Sequence, residues 1–429
     1  MMAAAPLAPS TAARTRPATR VAGLPGYALF AGLLAVAGLP IYIHAPKFYV
    51  DNHGVSLAAL GTALFVLRLV DFVQDPLLGW LAQATRRHRA AAVAGATALM
   101  ALSMLALFAV TPPVAPLWWF AGSLLVLFSA FSFLTISFYA QGVVKAGVLG
   151  TGGHLRLASW RETGALLGVC LAAVAPSVLA LLSDDPFAIF AALFAMIAAV
   201  AVWAMRREWG GAPAAPGTTG WQGFGTVLAD DVARRLLLVA LVNAAPVAVT
   251  STLFLFFVES RLQAPGWEGA FLLLFFLAAA GSAPIWARAG QRWGIRPVLL
   301  GAMVLAVVSF GFAATLGAGD LLAFAVICLV SGAAVGADLT LLPALFARRM
   351  AALGQAEALG FGLWAFVTKA TLALAAITLL PLLEASGFRA GADNPEPALA
   401  TLGFLYALVP CVLKLVAIAL FATLRMNEE

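Results

Sequence analysis

Charge is scarce in this sequence: Lys, Arg, Asp and Glu make up 10% of its 429 residues, while 63% fall in the hydrophobic class. A water-soluble domain covers its exterior with roughly a quarter charged residues, so a soluble fold is excluded and most of the exterior must face lipid. Cysteine is rarer still. Cys170, Cys328 and Cys411 each sit inside an apolar run, without the spacing of a disulfide framework or a metal site, and read as small buried hydrophobes. The apolar segments lack the in-and-out alternation of a membrane β-barrel. No nucleophile–base pair, phosphate loop or metal cluster is visible, and His88 and His154 fall in loops, so neither an enzyme nor a cofactor is expected.

What is present is a succession of long apolar stretches between residues 22 and 424. At about 20 residues per crossing they read as roughly a dozen spans, and the expected fold is an all-α polytopic membrane protein with twelve transmembrane helices. The longest polar interruption, 207–231, follows the sixth stretch and is rich in Gly, Pro and Thr. It divides the chain into a basic tail (1–21), a six-helix bundle (22–206), a linker (207–231), a second six-helix bundle (232–424) and a short tail (425–429).

Most of the 25 Lys and Arg lie in alternate loops and the tails, and only Lys47, Arg261 and Arg389 fall in the opposite set. The positive-inside rule then places both termini in the cytoplasm, for a multi-pass protein of the inner (plasma) membrane. A weak repeat supports two halves: Trp80 and Arg86 after the second helix recur as Trp286 and Arg292 after the eighth, at the same spacing. Six plus six helices with this topology point to a major-facilitator architecture.

A charge at mid-membrane costs at least about 2.5 kcal/mol, so each one needs a partner or a water-filled path. The second helix holds three. Arg68, Asp71 and Asp75 are three and four residues apart, which places them on one stripe with Gln74 at its margin. Two carboxylates one turn apart repel in a low dielectric, and pairing with Arg68 or a bound Na⁺ or H⁺ would relieve them. Cation occupancy would then shift the favoured conformation, which is what a coupling site requires. Other interior polar residues are Arg161 and Glu162 in helix five, Asp338 in helix ten, Lys369 in helix eleven and Lys414 in helix twelve. Lys369 is too deep to snorkel and is expected to meet a carboxylate or the aqueous path. Thr135 and Tyr139 form part of a locally polar stretch in helix four.

The string Arg68-x-x-Asp71-x-x-Gln74-Asp75-Pro76-x-x-Gly79-Trp80, with a basic run behind it, resembles the signature of the glycoside-pentoside-hexuronide:cation symporters. The resemblance continues through Leu155 to Glu162, Gly336 to Leu339 with Pro343, Gly362 to Lys369, and Leu405 to Lys414. It implies that Asp71 and Asp75 form the cation site (the metal ligands if the ion is Na⁺), with Gln74 where sugar-transporting members have Asn and Ser132 near a hydroxyl ligand. It also implies that Arg161 and Lys369 act in gating or coupling. Two departures stand out: Ala35 and Thr135 occupy the places of two sugar-binding Asp residues.

The expected function is therefore cation-coupled symport, with Na⁺ or H⁺, of a small organic solute less polar than a disaccharide. Asp71, Asp75, Gln74 and Ser132 form the ion site. Ala35, Thr135, Tyr139, Arg161 and Lys369 line the substrate cavity, and Arg68, Glu162 and Asp338 form a charge network. The alternatives are an amphiphile or lysolipid transporter of the same fold and a non-transporting membrane receptor or assembly protein. The expected partners are the solute and the lipid bilayer, not nucleic acid, and the protein is expected to act as a monomer.

Overall fold

The structure, a computed structural model, describes residues 23–209, 222–354, 357–389 and 394–424. The basic tail with Arg14, Arg16 and Arg20, the middle of the linker and the last five residues lie outside them. Among the described residues all regular structure is helical. The first half contains α1 (Leu24–His53), α2 (Leu57–Ala84), α3 (Arg89–Phe108), α4 (Pro116–Leu149), α5 (Gly153–Leu179) and α6 (Pro186–Met205). The second contains α8 (Asp231–Phe256), α9 (Glu268–Trp293), α10 (Ile295–Gly311), α11 (Leu321–Leu353), α12 (Glu357–Ala385) and the broken last span, α13 (Glu396–Gly403) with α14 (Val409–Ala422). Among the described residues, 9 helices are long and apolar enough to cross a membrane. The remaining long helices are α1, α2 and α12, with 30, 28 and 29 residues, so the long segments number twelve as expected.

Two details differ from the sequence reading. The interruption at 207–231 carries a short helix, α7 (Gln222–Ala229), because Phe224, Val227 and Leu228 fall three to four residues apart and give it one apolar face. The last apolar stretch is not one uniform helix: Phe404–Leu408 widens into a π turn before Pro410, as Phe257–Arg261 does at the end of α8. Proline contributes no N–H to the ladder, and a local π adjustment accommodates such a gap.

The outer face is what lipid demands. Leu181, Leu322, Trp118 and Met196 are all more than half exposed, an arrangement that water would penalise and acyl chains do not. Inside, one apolar core draws only on the first half, around Tyr27, Phe30, Phe120 and Phe194. Another draws only on the second, around Phe257, Phe324 and Tyr406. A third joins the halves at the end that carries the basic loops: Ala82, Ile136, Ala140 and Leu155 pack with Leu341, Phe346 and Phe361.

The halves meet most extensively along two helix pairs, α2 with α12 and α5 with α9. In each, the second span of one half packs on the fifth span of the other, a pseudo-two-fold relation that agrees with the Trp80/Trp286 repeat on the two second spans. Within the first half α1 and α5 cross with backbones touching. A Cβ on Gly164 would lie 2.1 Å from the Ala28 carbonyl oxygen, and one on Gly168 would lie 2.5 Å from that of Gly32. Small residues permit this approach in a bilayer, where burial of apolar area gives helices no reason to associate.

Candidate functional site

Helix α2 opens at Ser56, whose hydroxyl accepts from the Ala59 amide at 3.3 Å, an N-cap that sets the helix phase. From there the 3.6-residue period sorts the side chains. Val66, Val70, Val73 and Leu77 are exposed on one face, while Leu67, Asp71, Asp75 and Ala82 are buried on the other. Asp71 is 5% exposed and Asp75 is not exposed at all, so the carboxylates turn inward as their stripe predicts.

What lies opposite them comes from the other half. Gly79 and Gly362 meet where α2 crosses α12: a Cβ on Gly79 would stand 3.0 Å from the Ala358 oxygen and 3.2 Å from the Gly362 Cα. Lys369 is two turns beyond that crossing, about 10 Å along α12, and Asp75 and Asp71 are one and two turns back along α2. The close crossing thereby brings the ammonium to the acids. Lys369 Nζ donates to Asp71 Oδ1 at 2.9 Å, to Asp75 Oδ1 at 3.0 Å and to Ser132 Oγ of α4 at 2.6 Å. Ser132 lies 3.0 Å from the same Asp71 oxygen. Asp75 Oδ2 is buried without a hydrogen-bond partner.

Gln74 faces Ser129 with one end of its amide and Asp71 with the other. Its carbonyl oxygen accepts from Ser129 Oγ at 2.9 Å, and its amide nitrogen faces Asp71 Oδ1 at 3.5 Å. Ser129 was not singled out in the sequence; it precedes Ser132 by one helical turn, which is the signal that could have found it. Arg68 continues the α2 stripe one turn from Asp71 and is half-buried. The cation that bridges both carboxylates is Lys369, from the far half of the chain.

A second polar cluster follows on α4 and α5. Tyr139 donates from its hydroxyl to Glu162 Oε1 at 3.3 Å, and Arg161 Nε donates to the same oxygen at 2.7 Å. The Arg161 guanidinium lies 3.9 Å above the Tyr139 ring, a cation–π contact in a desolvated place. Its Nη2 is buried without a partner, as is Thr135 Oγ1. Ser132, Thr135 and Tyr139 share one face of α4 at helical spacing, so a row of hydroxyls runs from the Lys369 cluster to this one. The Tyr139 ring also lies 5.0 Å from that of Phe361 on α12, a contact between the halves. Ala35, on α1, is half-buried.

The third cluster lies wholly in the second half. Lys414 of α14 donates to Asn243 Oδ1 of α8 at 2.7 Å and pairs with Asp338 of α11. All three side chains are buried. The sequence named Lys414 and Asp338 without joining them and passed over Asn243, whose only signal is an amide inside an apolar run. Among the described residues there is no group of three or more His, Cys, Asp or Glu able to hold a metal ion.

The family of MFS/sugar transport proteins matches this chain over residues 24–428. Solved structures share the fold at low identity. The bacterial homologue of the iron transporter ferroportin, in an outward-facing state, is similar with a TM-score of 0.69 at 14% identity, covering 94% of this chain and 99% of that one. The E. coli fucose:proton symporter is similar with a TM-score of 0.61 at 15% identity, covering 95% and 100%. The human organic anion transporter gives 0.62 at 19% identity, covering 93% and 100%.

Proposed function

The chain belongs to the MFS/sugar transport protein family, and from that premise we propose that it is a secondary transporter in which a cation moving down its gradient drives symport of a small organic solute. The observation that carries the reading is the Lys369 ammonium held by Asp71, Asp75 and Ser132. The acids ride on the first half and the lysine on the second, so the bridge ties the halves together where α2 crosses α12. A coupling cation arriving at the carboxylates competes with Lys369 for the same oxygens. Once displaced, the lysine no longer holds α12 to α2, and the halves are free to rock about the site.

The surroundings favour a proton over Na⁺. A sodium ion needs a cage of several oxygens, whereas here the Gln74 oxygen is engaged by Ser129 and N–H groups of Gln74 and Lys369 face the acids. A proton needs only one carboxylate oxygen, and Asp75 Oδ2 is buried and unpartnered. The solute would sit along Thr135, Tyr139, Arg161 and Ala35. With alanine and threonine in place of two acids, that surface lacks the paired acceptors that orient sugar hydroxyls, and the unpartnered Arg161 Nη2 suits a solute that offers an acceptor. Cytoplasmic termini, from the distribution of basic loops, complete the reading.

The test is uptake of a solute library into proteoliposomes under imposed H⁺ or Na⁺ gradients. Accumulation should follow the H⁺ gradient, and Asp75→Asn should abolish it while the protein remains folded in the membrane. Uptake by Asp75→Asn that still followed an ion gradient would overturn the assignment of the ion site.

A further inference from the structure

A cleft of about 560 Å³ lies between α5 and α9, one helix from each half, at the basic-loop end of the bundle. Arg156, in the first turn of α5, and Arg288, near the end of α9, both line it, and both are exposed. Neither guanidinium has a hydrogen bond or ion pair among the described residues, although other basic side chains at this end are matched, Lys145 with Glu208 and Arg349 with Asp230. Ser159 also lines the cleft; it is 9% exposed, and its hydroxyl has no hydrogen-bond partner among the described residues. Deeper in, Leu167 and Pro284 make the wall apolar, and Trp160 flanks it, 41% exposed.

Two like charges aimed at one cleft without an acid between them call for an anion. An apolar wall that continues below them calls for an anion carrying hydrocarbon. We propose that the cleft is a binding site for an anionic phospholipid of the surrounding bilayer, its phosphate held by Arg156 and Arg288, its polar head near Ser159 and an acyl chain along Leu167 and Pro284. Guanidinium groups take a phosphate in a bidentate fork, and Trp160 is the kind of side chain that settles at headgroup level. Because α5 and α9 belong to different halves, a lipid seated there touches both and biases how far they separate.

The test is native mass spectrometry of the purified full chain titrated with phosphatidylglycerol, and separately with phosphatidylcholine. The wild type should retain phosphatidylglycerol in preference. Arg156→Gln with Arg288→Gln should weaken that retention roughly 25-fold, since each basic side chain near a membrane surface contributes about fivefold. Arg156→Lys with Arg288→Lys should keep part of the preference, since the charge remains and only the bidentate fork is lost. Arg206→Gln, a change to an exposed arginine at the same end that makes its own contacts with Trp203, should keep it whole. Equal retention by the double glutamine variant, or displacement of the lipid by inorganic phosphate alone, would overturn the proposal. Transport of lysophosphatidylglycerol would also overturn it, by making the cleft an entrance. The readout needs no knowledge of the transported solute.

Discussion

Lys369 and Asp71 are 298 positions apart in the chain, yet the ammonium nitrogen of one lies 2.9 Å from a carboxylate oxygen of the other. The same nitrogen reaches Asp75 at 3.0 Å. One lysine thus bridges two acids of the opposite half, and its removal leaves both buried carboxylates without that ammonium.

Lys369→Met should therefore destabilise the protein by about 3–5 kcal/mol, the usual cost of stranding buried charge, and Lys369→Met combined with Asp71→Asn should recover a large part of it. Thermal unfolding in detergent of the two single variants and the double variant measures the coupling. Additive effects would mean that the two side chains do not interact.

The approach of α2 to α12 rests on two glycines. Gly362→Val would place a Cβ 3.0 Å from the Asp75 carbonyl oxygen and 3.1 Å from the Gly79 Cα, so the helices must move apart at a cost of about 1–3 kcal/mol. The Lys369 bridge is then stretched. Cysteine cross-linking between α2 and α12 should fall in yield, and gradient-driven uptake should fall with it.

The Lys414–Asp338 pair is buried on both sides and lies within one half. Lys414→Met should cost about 3–5 kcal/mol, with most of the loss restored by adding Asp338→Asn. Because this pair does not tie the halves together, the double variant should retain coupled uptake. Loss of coupling in a well-folded double variant would give the pair a part in transport.

At the basic-loop end the Arg349 guanidinium, hydrogen-bonded to Asp230, holds that carboxyl below its ordinary range. A depressed folded value means that the pair's contribution is full above the unfolded value of the acid and is lost as pH falls through the lowered one. Arg349→Gln should lower thermal stability by about 1 kcal/mol near neutrality, a modest figure for a pair partly open to solvent. The gap between wild type and variant should close in strong acid, as melting curves over a pH series would record.

The spans were legible because lipid imposes one rule along the whole chain: apolar runs of sufficient length must be helices. Asp71 and Asp75 were legible because a helix fixes which neighbours share a face. The partner of the two acids was harder to read. Arg68, three residues from Asp71, is the obvious candidate in sequence, and Lys369 could be marked only as a cation in need of an acid. Asn243 and Ser129 left almost no trace, since an amide or hydroxyl inside an apolar run gains meaning only from what faces it. The distribution of loop charge says where the basic residues gather, but not that Arg156 and Arg288 share one cleft.

The sequence by itself determined a membrane-spanning, helical, two-half chain and the inward stripe of acids, because hydropathy and helical period act locally and need no knowledge of neighbours. Only the tertiary structure decided which lysine answers those acids, that Asp338 belongs to Lys414, and that two glycines set the distance between the halves. Those are contacts between helices remote in sequence, and their energies depend on packing distances that no local pattern encodes.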